Sequence, residues 1–512
     1  MPFKIFDPRP FFKIFFGFPV VGRSFRDSIA VPSMAIPSPS TSSVRSLDSR
    51  VDITLNIVDW DALSSLACKI HQVDSSHWGD KISGSYNLVR FLHLHDDQNT
   101  TLVARVPLRP EDGTTPKDDH YISKRIESEV ATMQYVERHT NVPVPHVYSH
   151  STRAEGDIRS AYILMSKVEG VGLFSVWNDM ADDKRRIILQ QVVDILLELW
   201  SHRFSKLGGL FKRDSGGEGK DAWYIDDLPG EPHPRITSSR NEISPISYAH
   251  AADYWLAYVN AYLEDIRCAD FGSDAKSYFY SHMWFIRSTI PSLFDPSIDN
   301  HGYPLTPGDF HSQNIIITDI DTHPRITAVI DWERSVSTFP TSFAQYPFFI
   351  VDHPSWEKDN PLCERNKKDQ TTFNELILEA ERLHKFQAAV DGPKLSHLIS
   401  NSYGVYLFGQ IVSFPIMCEE LYPALFAHIF GEDKDFHEDY MFALTYNGIL
   451  RETWEQFEKE NAVWLEAREV LGDDMVRADL NVGEFKDLVS KHLGRFTDGG
   501  LVREWLTSEN SS

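Results

Sequence analysis

Short apolar runs of strand length come first along the chain, and helical periodicity dominates later. Residues 86–95 are rich in apolar positions, residues 96–99 are polar, and residues 101–106 resume an apolar run. Two such runs joined by a short polar turn predict a β-hairpin. Within residues 121–138 apolar side chains recur every three or four positions, which predicts a helix with the apolar positions Ile122, Ile126, Val130, Met133 and Val136.

The order of the predicted elements indicates the fold class. Prolines at 143 and 145 should end the helix, and a further strand is predicted at residues 161–165. After Gly170 the pattern changes to long helices at residues 187–200, 247–266 and 371–386. We therefore predict an α+β fold of two lobes, with a small mixed β/α N-lobe at residues 51–165 and a large, mainly helical C-lobe at residues 166–512.

The first 50 residues differ from the rest of the chain. Residues 1–47 carry six basic residues against two acidic ones, and residues 32–43 are rich in Ser and Pro. We interpret residues 1–50 as a disordered extension of a cytoplasmic protein. The alternative is an import segment for mitochondria, because such segments are basic and poor in acidic residues.

Composition limits the classes of partner. The chain has 50 basic and 74 acidic residues, a net charge of −24, which repels phosphate backbones and disfavours nucleic acid as a partner. Its four cysteines show neither zinc spacing nor a dense disulfide framework. No apolar stretch approaches the roughly 20 residues that a membrane span requires, so we expect none.

Three oxygen-bearing side chains carry the candidate chemistry. Asp309 and Asn314 fit the D-x-x-x-x-N spacing of kinase catalytic loops. A predicted strand at residues 315–317, a polar turn and a second strand at residues 326–330 would return Asp331 to the same place. Carboxylate and amide oxygens suit magnesium, which takes hard ligands and keeps several waters.

The segment from Gly308 to Asn314, together with Val329-Ile330-Asp331-Trp332-Glu333, resembles the signature of the aminoglycoside phosphotransferase family. Further stretches resemble the small lobe of its fungal-type members, so that the resemblance covers about residues 60–350: Ser83-Gly84-Ser85-Tyr86-Asn87, Leu102-Val103-Ala104-Arg105-Val106-Pro107, Glu127-Ser128-Glu129-Val130, Val142-Pro143-Val144-Pro145 and Ile163-Leu164-Met165.

The resemblance implies a protein-kinase-like fold and magnesium-dependent transfer of the γ-phosphoryl group of ATP to a hydroxyl of a small molecule. It implies that Asp309 is the catalytic base and that Asn314 and Asp331 are the metal ligands. It further implies a nucleotide site made of the covering loop Ser83, Gly84, Ser85 and Asn87, the cation Arg105 with its partner Glu129, and the hinge residues Met165 and Val168.

Two departures from the family pattern keep an alternative open. Pro307 stands where members have a His, and Arg105 stands where a lysine is usual, although fungal-type members commonly have Arg. With the sparse glycine loop, Pro307 favours a second hypothesis, a nucleotide-binding protein with little or no activity. We expect His311 to pack within the loop, and Glu333 either assists at the metal or orients its neighbours. The acceptor is not readable from the sequence.

Overall fold

The computed structural model describes residues 41–84, 86–109, 116–213, 222–228, 243–267, 274–352, 356, 360–383, 392–414, 418–431, 439–444, 448, 450–472, 480 and 482–509. The chain divides into two compact units. One comprises Met1–Ile236 and His301–Ser400, and the other Thr237–Asn300 and Asn401–Ser512. Every predicted site residue belongs to the first unit.

The first unit begins with two helices and a five-stranded antiparallel sheet crossed by a long helix. In chain order these elements are α1 (Thr41–Ile57), α2 (Trp60–His71), β1 (Ser76–Ser83), β2 (Asn87–Leu94), β3 (Thr101–Pro107), α3 (Pro116–His139), β4 (Val147–Ser151) and β5 (Tyr162–Ser166). The strand order is β1-β2-β3-β5-β4. The predicted hairpin, helix and third strand are confirmed, and the α+β class with them.

The alternation of side chains along β3 places Arg105 on the face of the sheet opposite the apolar side chains. In β3 the side chains of Leu102, Ala104 and Val106 are buried and pack in a cluster that also contains residues of α2, β2 and β5. Arg105 lies between them in sequence and therefore projects from the opposite face of the sheet. That is the face covered by α3, because α3 carries Glu129, the ion-pair partner of Arg105.

The remainder of the first unit contains small sheets and helices. Its elements are β6 (Val171–Gly172), α4 (Asp182–Ser201), β7 (Arg203–Phe204), β8 (Gly208–Lys212), β9 (Trp223–Asp226), β10 (Tyr303–Thr306), β11 (Ile315–Thr318), β12 (Arg325–Val329) and β13 (Val336–Ser337), with helices Pro340–Phe343, Pro361–Arg382 and Leu395–Ser400. Two sheets form here, with strand orders β7-β10-β13-β8-β9 and β12-β11-β6. The α3 and α4 helices share one apolar core with β11 and β12.

The second unit, as far as the structure describes it, is helical. Its helices are Ala251–Arg267, Asp274–Leu293, Pro296–Asp299, Tyr403–Ser413, Cys418–Phe430, Arg451–Leu471, Val482–Lys491 and Leu501–Glu509. The last three surround an apolar cluster around Phe485 and Trp505. Among the described helices, none combines the length and apolar character that crossing a membrane requires.

Several predicted bounds shift. The helices predicted at residues 187–200, 247–266 and 371–386 are observed at Asp182–Ser201, Ala251–Arg267 and Pro361–Arg382. The boundary proposed at residue 50 falls inside α1, while residues 1–40 lie outside the described part of the chain. The lobe boundary proposed at residue 165 falls at the end of β5 within the first unit, and it remains a proposal.

Candidate active site

A hairpin brings the two signature segments together. The β11 and β12 strands pair antiparallel, with Ile315 opposite Val329, and Ile330 N donates to the carbonyl oxygen of Asn314 at 2.8 Å. Asn314 precedes the first residue of β11, and Asp331 follows shortly after the end of β12. The pairing that the sequence predicted therefore places these two residues side by side at one end of the hairpin.

The loop that carries Asp309 is held by its own asparagine. Asn314 is 8% exposed, and its Nδ2 donates to the carbonyl oxygen of Asp309 at 3.0 Å. The side-chain oxygen of Asn314 is the atom that this bond leaves for another partner. Asn314 thus fixes the backbone of Asp309 and can offer an oxygen ligand.

His311 contacts the carboxylate of Asp309. Its Nδ1 accepts from Gln313 N at 3.1 Å, which places the proton of the neutral ring on Nε2. That Nε2 lies 3.2 Å from Asp309 Oδ2. Burial would lower the pKa of His311, but the hydrogen bond to Asp309 and the negative charges of Asp309 and Asp331 together outweigh burial and raise it. His311 packs in the loop as expected, and it also orients the candidate base.

Asp331 occupies an uncommon backbone conformation, with a φ of 61°. Asp tolerates this left-handed region better than most side chains, although the conformation has a cost. The next residue, Trp332, anchors the turn because it is fully buried and its Nε1 donates to Val329 O at 2.9 Å. The carboxylate of Asp331 remains 38% exposed and can meet a ligand.

Gly308 lets the Asp309 loop touch the Asp331 segment. A Cβ at position 308 would overlap the backbone of Glu333 and Arg334. In addition, Gly308 N donates to Ser335 Oγ at 3.2 Å. The contact between the two segments therefore requires glycine at this position.

Arg105 joins the sheet to this centre. It is 8% exposed, and its guanidinium donates from Nη1 to Glu129 and from Nη2 to Glu333. The same Nη2 lies 2.8 Å from Asp331 Oδ1. The forked head of arginine can serve several carboxylates at once, whereas the ammonium of lysine is a single point. The predicted ion pair of Arg105 and Glu129 is present, and Arg105 also contacts Asp331 and Glu333.

Glu333 is a second centre of contacts, and its side chain is almost completely buried. Its Oε2 accepts from Asn87 Nδ2 at 2.9 Å, and its Oε1 lies 3.4 Å from Arg125 Nη1. Glu333 thereby connects the β1–β2 loop and α3 to the segment that carries Asp331. Of the two roles expected for Glu333, these contacts favour orientation of its neighbours.

Burial and charge act against each other in this network. Burial raises the pKa of Asp331, and Arg105 offsets only part of the increase. Burial also acts to raise the pKa of Glu333, but Arg105 and Arg125 outweigh it and lower that pKa. For Arg105 burial would lower the guanidinium pKa, but Glu129, Asp331 and Glu333 outweigh it and raise it. A third, partly exposed arginine, Arg334, lies 4.0 Å from Glu333, so three guanidinium groups face three carboxylates in the described network.

The predicted nucleotide-covering loop is the turn between β1 and β2. Ser83 pairs with Leu88, and Gly84 N donates to Asn87 O at 2.9 Å. Asn87 reaches the network through Glu333, whereas no contact of Ser83 or Gly84 with the network is present among the described residues. Ser85 lies outside the described part of the chain.

The predicted hinge begins in β5 and continues beyond it. Met165 pairs with Val103 and Val147 and packs against the core of the first unit. Val168 is half-buried in the connection that leads to β6. Both lie where the chain passes from the five-stranded sheet to the β12-β11-β6 sheet.

The oxygen donors fit a magnesium ion only in part. In the described part of the chain, no group of three His, Cys, Asp or Glu side chains is arranged to hold a metal. Asn314 and Asp331 offer an amide and a carboxylate oxygen, and magnesium commonly completes its shell with phosphate oxygens and water. The pair therefore suits magnesium that arrives together with a polyphosphate.

Sequence reasoning left out Arg125 and did not resolve the role of Glu333. Arg125 precedes Glu129 by four positions on α3, so both lie on one face of that helix. That spacing was the available signal for Arg125. No sequence signal connects Glu333 with Asn87, because the two are 246 positions apart.

No family profile matches the chain. A protein of Zygosaccharomyces rouxii called Altered inheritance of mitochondria protein 9, mitochondrial, is 30% identical over 156 residues, which are 29% of this chain and 24% of that protein. A subtelomeric hrmA-associated cluster protein of Aspergillus fumigatus is 32% identical over 130 residues, which are 25% of this chain and 24% of that protein. The chain thus spans about a quarter of the length of these curated relatives.

Solved structures were also compared. An aminoglycoside phosphotransferase in complex with streptomycin and ATP is 12% identical to this chain, with a TM-score of 0.37. The alignment covers 69% of this chain and 90% of that protein. A macrolide 2'-phosphotransferase is 11% identical to this chain, with a TM-score of 0.36. The alignment covers 72% of this chain and 95% of that protein. These values are too low to support an argument about activity, which must come from the side chains of this chain.

Proposed function

We propose that the protein is a magnesium-dependent phosphotransferase of the aminoglycoside phosphotransferase type, acting between ATP and a hydroxyl of a small molecule. The observation that supports this most is the ion-pair network of Arg105, which joins Glu129 on α3 to Asp331 beside the Asp309 loop. In phosphoryl transfer, catalysis rests on positioning and on neutralising charge, so a network of this kind is what the reaction requires.

The contacts in the network support a role for each residue. Asp309 would orient the acceptor hydroxyl and accept its proton, with His311 holding Oδ2 so that Oδ1 is free to receive it. Arg105 would contact phosphate oxygens, since guanidinium groups recognise phosphate well. Asn87 would keep the covering loop close to these residues through Glu333.

Asn314 and Asp331 would hold magnesium, which when bound would supply positive charge to offset the charge of the phosphoryl group. Met165 and Val168 would line the base of the nucleotide. Ser83, Gly84 and Ser85 would cover its phosphates. The assignments of these loop and hinge residues extend the family resemblance.

The decisive experiment substitutes the candidate base. Asp309→Asn keeps the size of the side chain and removes its basicity, and we expect ATP-dependent turnover with a metabolite panel to fall by about 10²–10⁴-fold. Asp321→Asn, in the exposed β11–β12 turn, serves as the control and should leave turnover unchanged. Equal turnover in Asp309→Asn and the wild-type protein would contradict the assignment.

The second candidate is a nucleotide-binding protein without turnover, favoured by the buried Pro307 in place of the usual His. A thermal shift with ATP that depends on magnesium, measured beside ATP consumption, separates the two. Binding with no turnover for any acceptor in the panel would favour the second candidate.

For location, we propose the mitochondrion over the cytoplasm. This proposal rests on the names of the yeast relatives and on the basic composition of residues 1–50. Residues 1–50 fused to a fluorescent reporter should accumulate in mitochondria, and a purely cytosolic signal would reject the proposal.

A further inference from the structure

We propose that Arg105 stays bonded to Asp331, the carboxylate assigned to metal binding, until a nucleotide binds. Arg105 thereby couples the binding of a divalent cation to the binding of nucleotide. This inference rests on the proposed function and names how the same site would be regulated. It concerns Arg105, which stands at a position where the family usually has a lysine.

The first step is the contact itself. Arg105 Nη2 lies 2.8 Å from Asp331 Oδ1, and the Asp331 side chain is 38% exposed while that of Arg105 is 9% exposed. A divalent cation that approaches Asp331 from solvent therefore meets a carboxylate that is already paired with the guanidinium of Arg105. Repulsion between the cation and the guanidinium is substantial at such distances in a partly buried site, and it weakens binding of the free cation.

The second step is that the guanidinium is held firmly. Its Nη1 bonds to Glu129, which is 4% exposed, and its Nη2 also bonds to Glu333. Glu333 is in turn fixed by Asn87 at 2.9 Å and approached by Arg125 at 3.4 Å. Since these partners come from the β1–β2 loop and α3, the position of Arg105 over Asp331 is set by several elements at once.

The third step is release. Phosphate oxygens are strong acceptors for guanidinium groups, so a bound triphosphate offers Arg105 a partner that competes with Asp331. When Arg105 Nη2 exchanges Asp331 for a phosphate oxygen while Nη1 stays bonded to Glu129, Asp331 loses its direct positive partner and binds the cation better. By linkage, the cation must then raise the affinity for nucleotide by the same factor.

A lysine would not produce this coupling to the same degree. Its ammonium is compact and lies on a shorter side chain, so it cannot bond to Glu129 on one side and to Asp331 and Glu333 on the other in the way the fork does. Arg105→Lys keeps the charge that Glu129 requires but loosens the contact with Asp331. It is therefore the variant that separates the proposed coupling from simple charge balance.

The test measures binding of Mn²⁺ to the full-length protein, without nucleotide, by the loss of the free-ion EPR signal. We expect Arg105→Lys to bind Mn²⁺ about tenfold more tightly than the wild-type protein, the size expected when a carboxylate loses one charge-assisted hydrogen bond. Arg125→Lys is the matched control, because Arg125 contacts Glu333 and not Asp331 in the described network. We expect this control to stay within about twofold of wild type.

A second arm adds a non-hydrolysable ATP analogue. In its presence the wild-type and Arg105→Lys proteins should bind Mn²⁺ with similar affinity, because Arg105 has then left Asp331. Equal Mn²⁺ affinities of the two proteins without nucleotide would overturn the inference and leave the proposed function intact. Failure of the wild-type protein to bind the analogue, or to bind Mn²⁺ in its presence, would overturn the proposed function as well.

Folding of the variants is checked by circular dichroism. If Arg105→Lys does not fold, Arg105→Gln is measured in its place, since it retains a hydrogen-bond donor toward Glu129 without the charge. Because this variant also loses the charge, we expect an increase in Mn²⁺ affinity at least as large as that of Arg105→Lys, and unchanged affinity would again reject the coupling.

Discussion

At the scale of single residues, position 105 shows how one substitution alters a site without removing its chemistry. A lysine here would pair with Glu129 alone, whereas the arginine also contacts both acids of the Asp331 segment. Resemblance implied the pair with Glu129, and the structure contains it. The additional contacts depend on the reach of the guanidinium fork.

Glu333 yields a prediction about stability. Glu333→Gln removes the negative charge that faces Arg105 and Arg125, both of which are buried. Breaking a buried ion pair at one partner costs about 3 kcal/mol, and we expect a loss of that order in the free energy of unfolding of the first unit.

The measurement is urea unfolding at constant ionic strength. Glu169→Gln is the control, because Glu169 is 80% exposed and its ion-pair partner among the described residues is the partly exposed Lys167, at 2.9 Å. Exposed pairs of this kind contribute little, so the control should unfold almost as the wild-type protein does. Equal losses in the two variants would show that the Glu333 network does not stabilise the fold.

At the scale of elements, the connection from β5 to β6 depends on Gly170. Its φ is 133°, and a Cβ at this position would overlap the carbonyl oxygen of Ile317 in β11. The same connection is held by Thr327 Oγ1, which donates to Glu169 O at 3.1 Å. Gly170 therefore allows the hinge segment to lie directly against the hairpin that carries Asn314 and Asp331.

Gly170→Ala should destabilise the first unit by about 3 kcal/mol, from the unfavourable φ and the overlap together. Gly156→Ala is the matched control, since Gly156 has a φ of 106° but nothing within 4 Å of the added Cβ. We expect the control to lose about 1 kcal/mol, from the backbone term alone. Thermal unfolding of both variants measures the difference, and equal losses would mean that the hinge can move away from β11.

At the scale of the whole molecule, the chain combines two units that each draw on two separate stretches of sequence. Within the second unit, the helix Pro296–Asp299 contains a buried acid, Asp299. Asp299 Oδ2 accepts from Ala251 N at 2.8 Å, and Oδ1 has no hydrogen-bond partner among the described residues. Burial raises the pKa of Asp299 to about 6, with the Ala251 bond offsetting part of the increase.

The sign of the resulting pH dependence follows directly. Because the folded protein holds the proton of Asp299 more tightly than the unfolded chain does, this contribution to stability is full below pH 3.8 and is lost as the pH rises through about 6. Relative to Asp299→Asn, the wild-type protein should lose roughly 2 kcal/mol of stability between about pH 4 and pH 7.

Asp295→Asn provides a control of opposite sign. The bond from Ser297 N at 2.9 Å lowers the pKa of Asp295, so its contribution grows as the pH rises. Free energies of unfolding of the three proteins at several pH values test both signs. A difference between wild type and Asp299→Asn that does not change with pH would mean that Asp299 titrates normally in the folded protein.

The elements and the local spacing of the candidate chemistry could be predicted from the amino-acid pattern alone. Apolar periodicity located β2, β3, α3 and the β11–β12 hairpin to within a few residues, because these patterns reflect which face each element buries. The hairpin in turn fixed Asn314 beside Asp331, since both lie at one end of a single local pairing.

The pairing of distant charges, in contrast, became visible in the folded protein. Asn87, Arg105 and Arg125 lie 246, 228 and 208 positions from Glu333, and no periodicity connects them. Their contacts depend on the sheet, α3 and the Asp331 segment packing at one place, where burial makes each unpaired charge costly. Local patterns fix which face of an element is apolar, whereas long-range packing selects the partner of each buried charge.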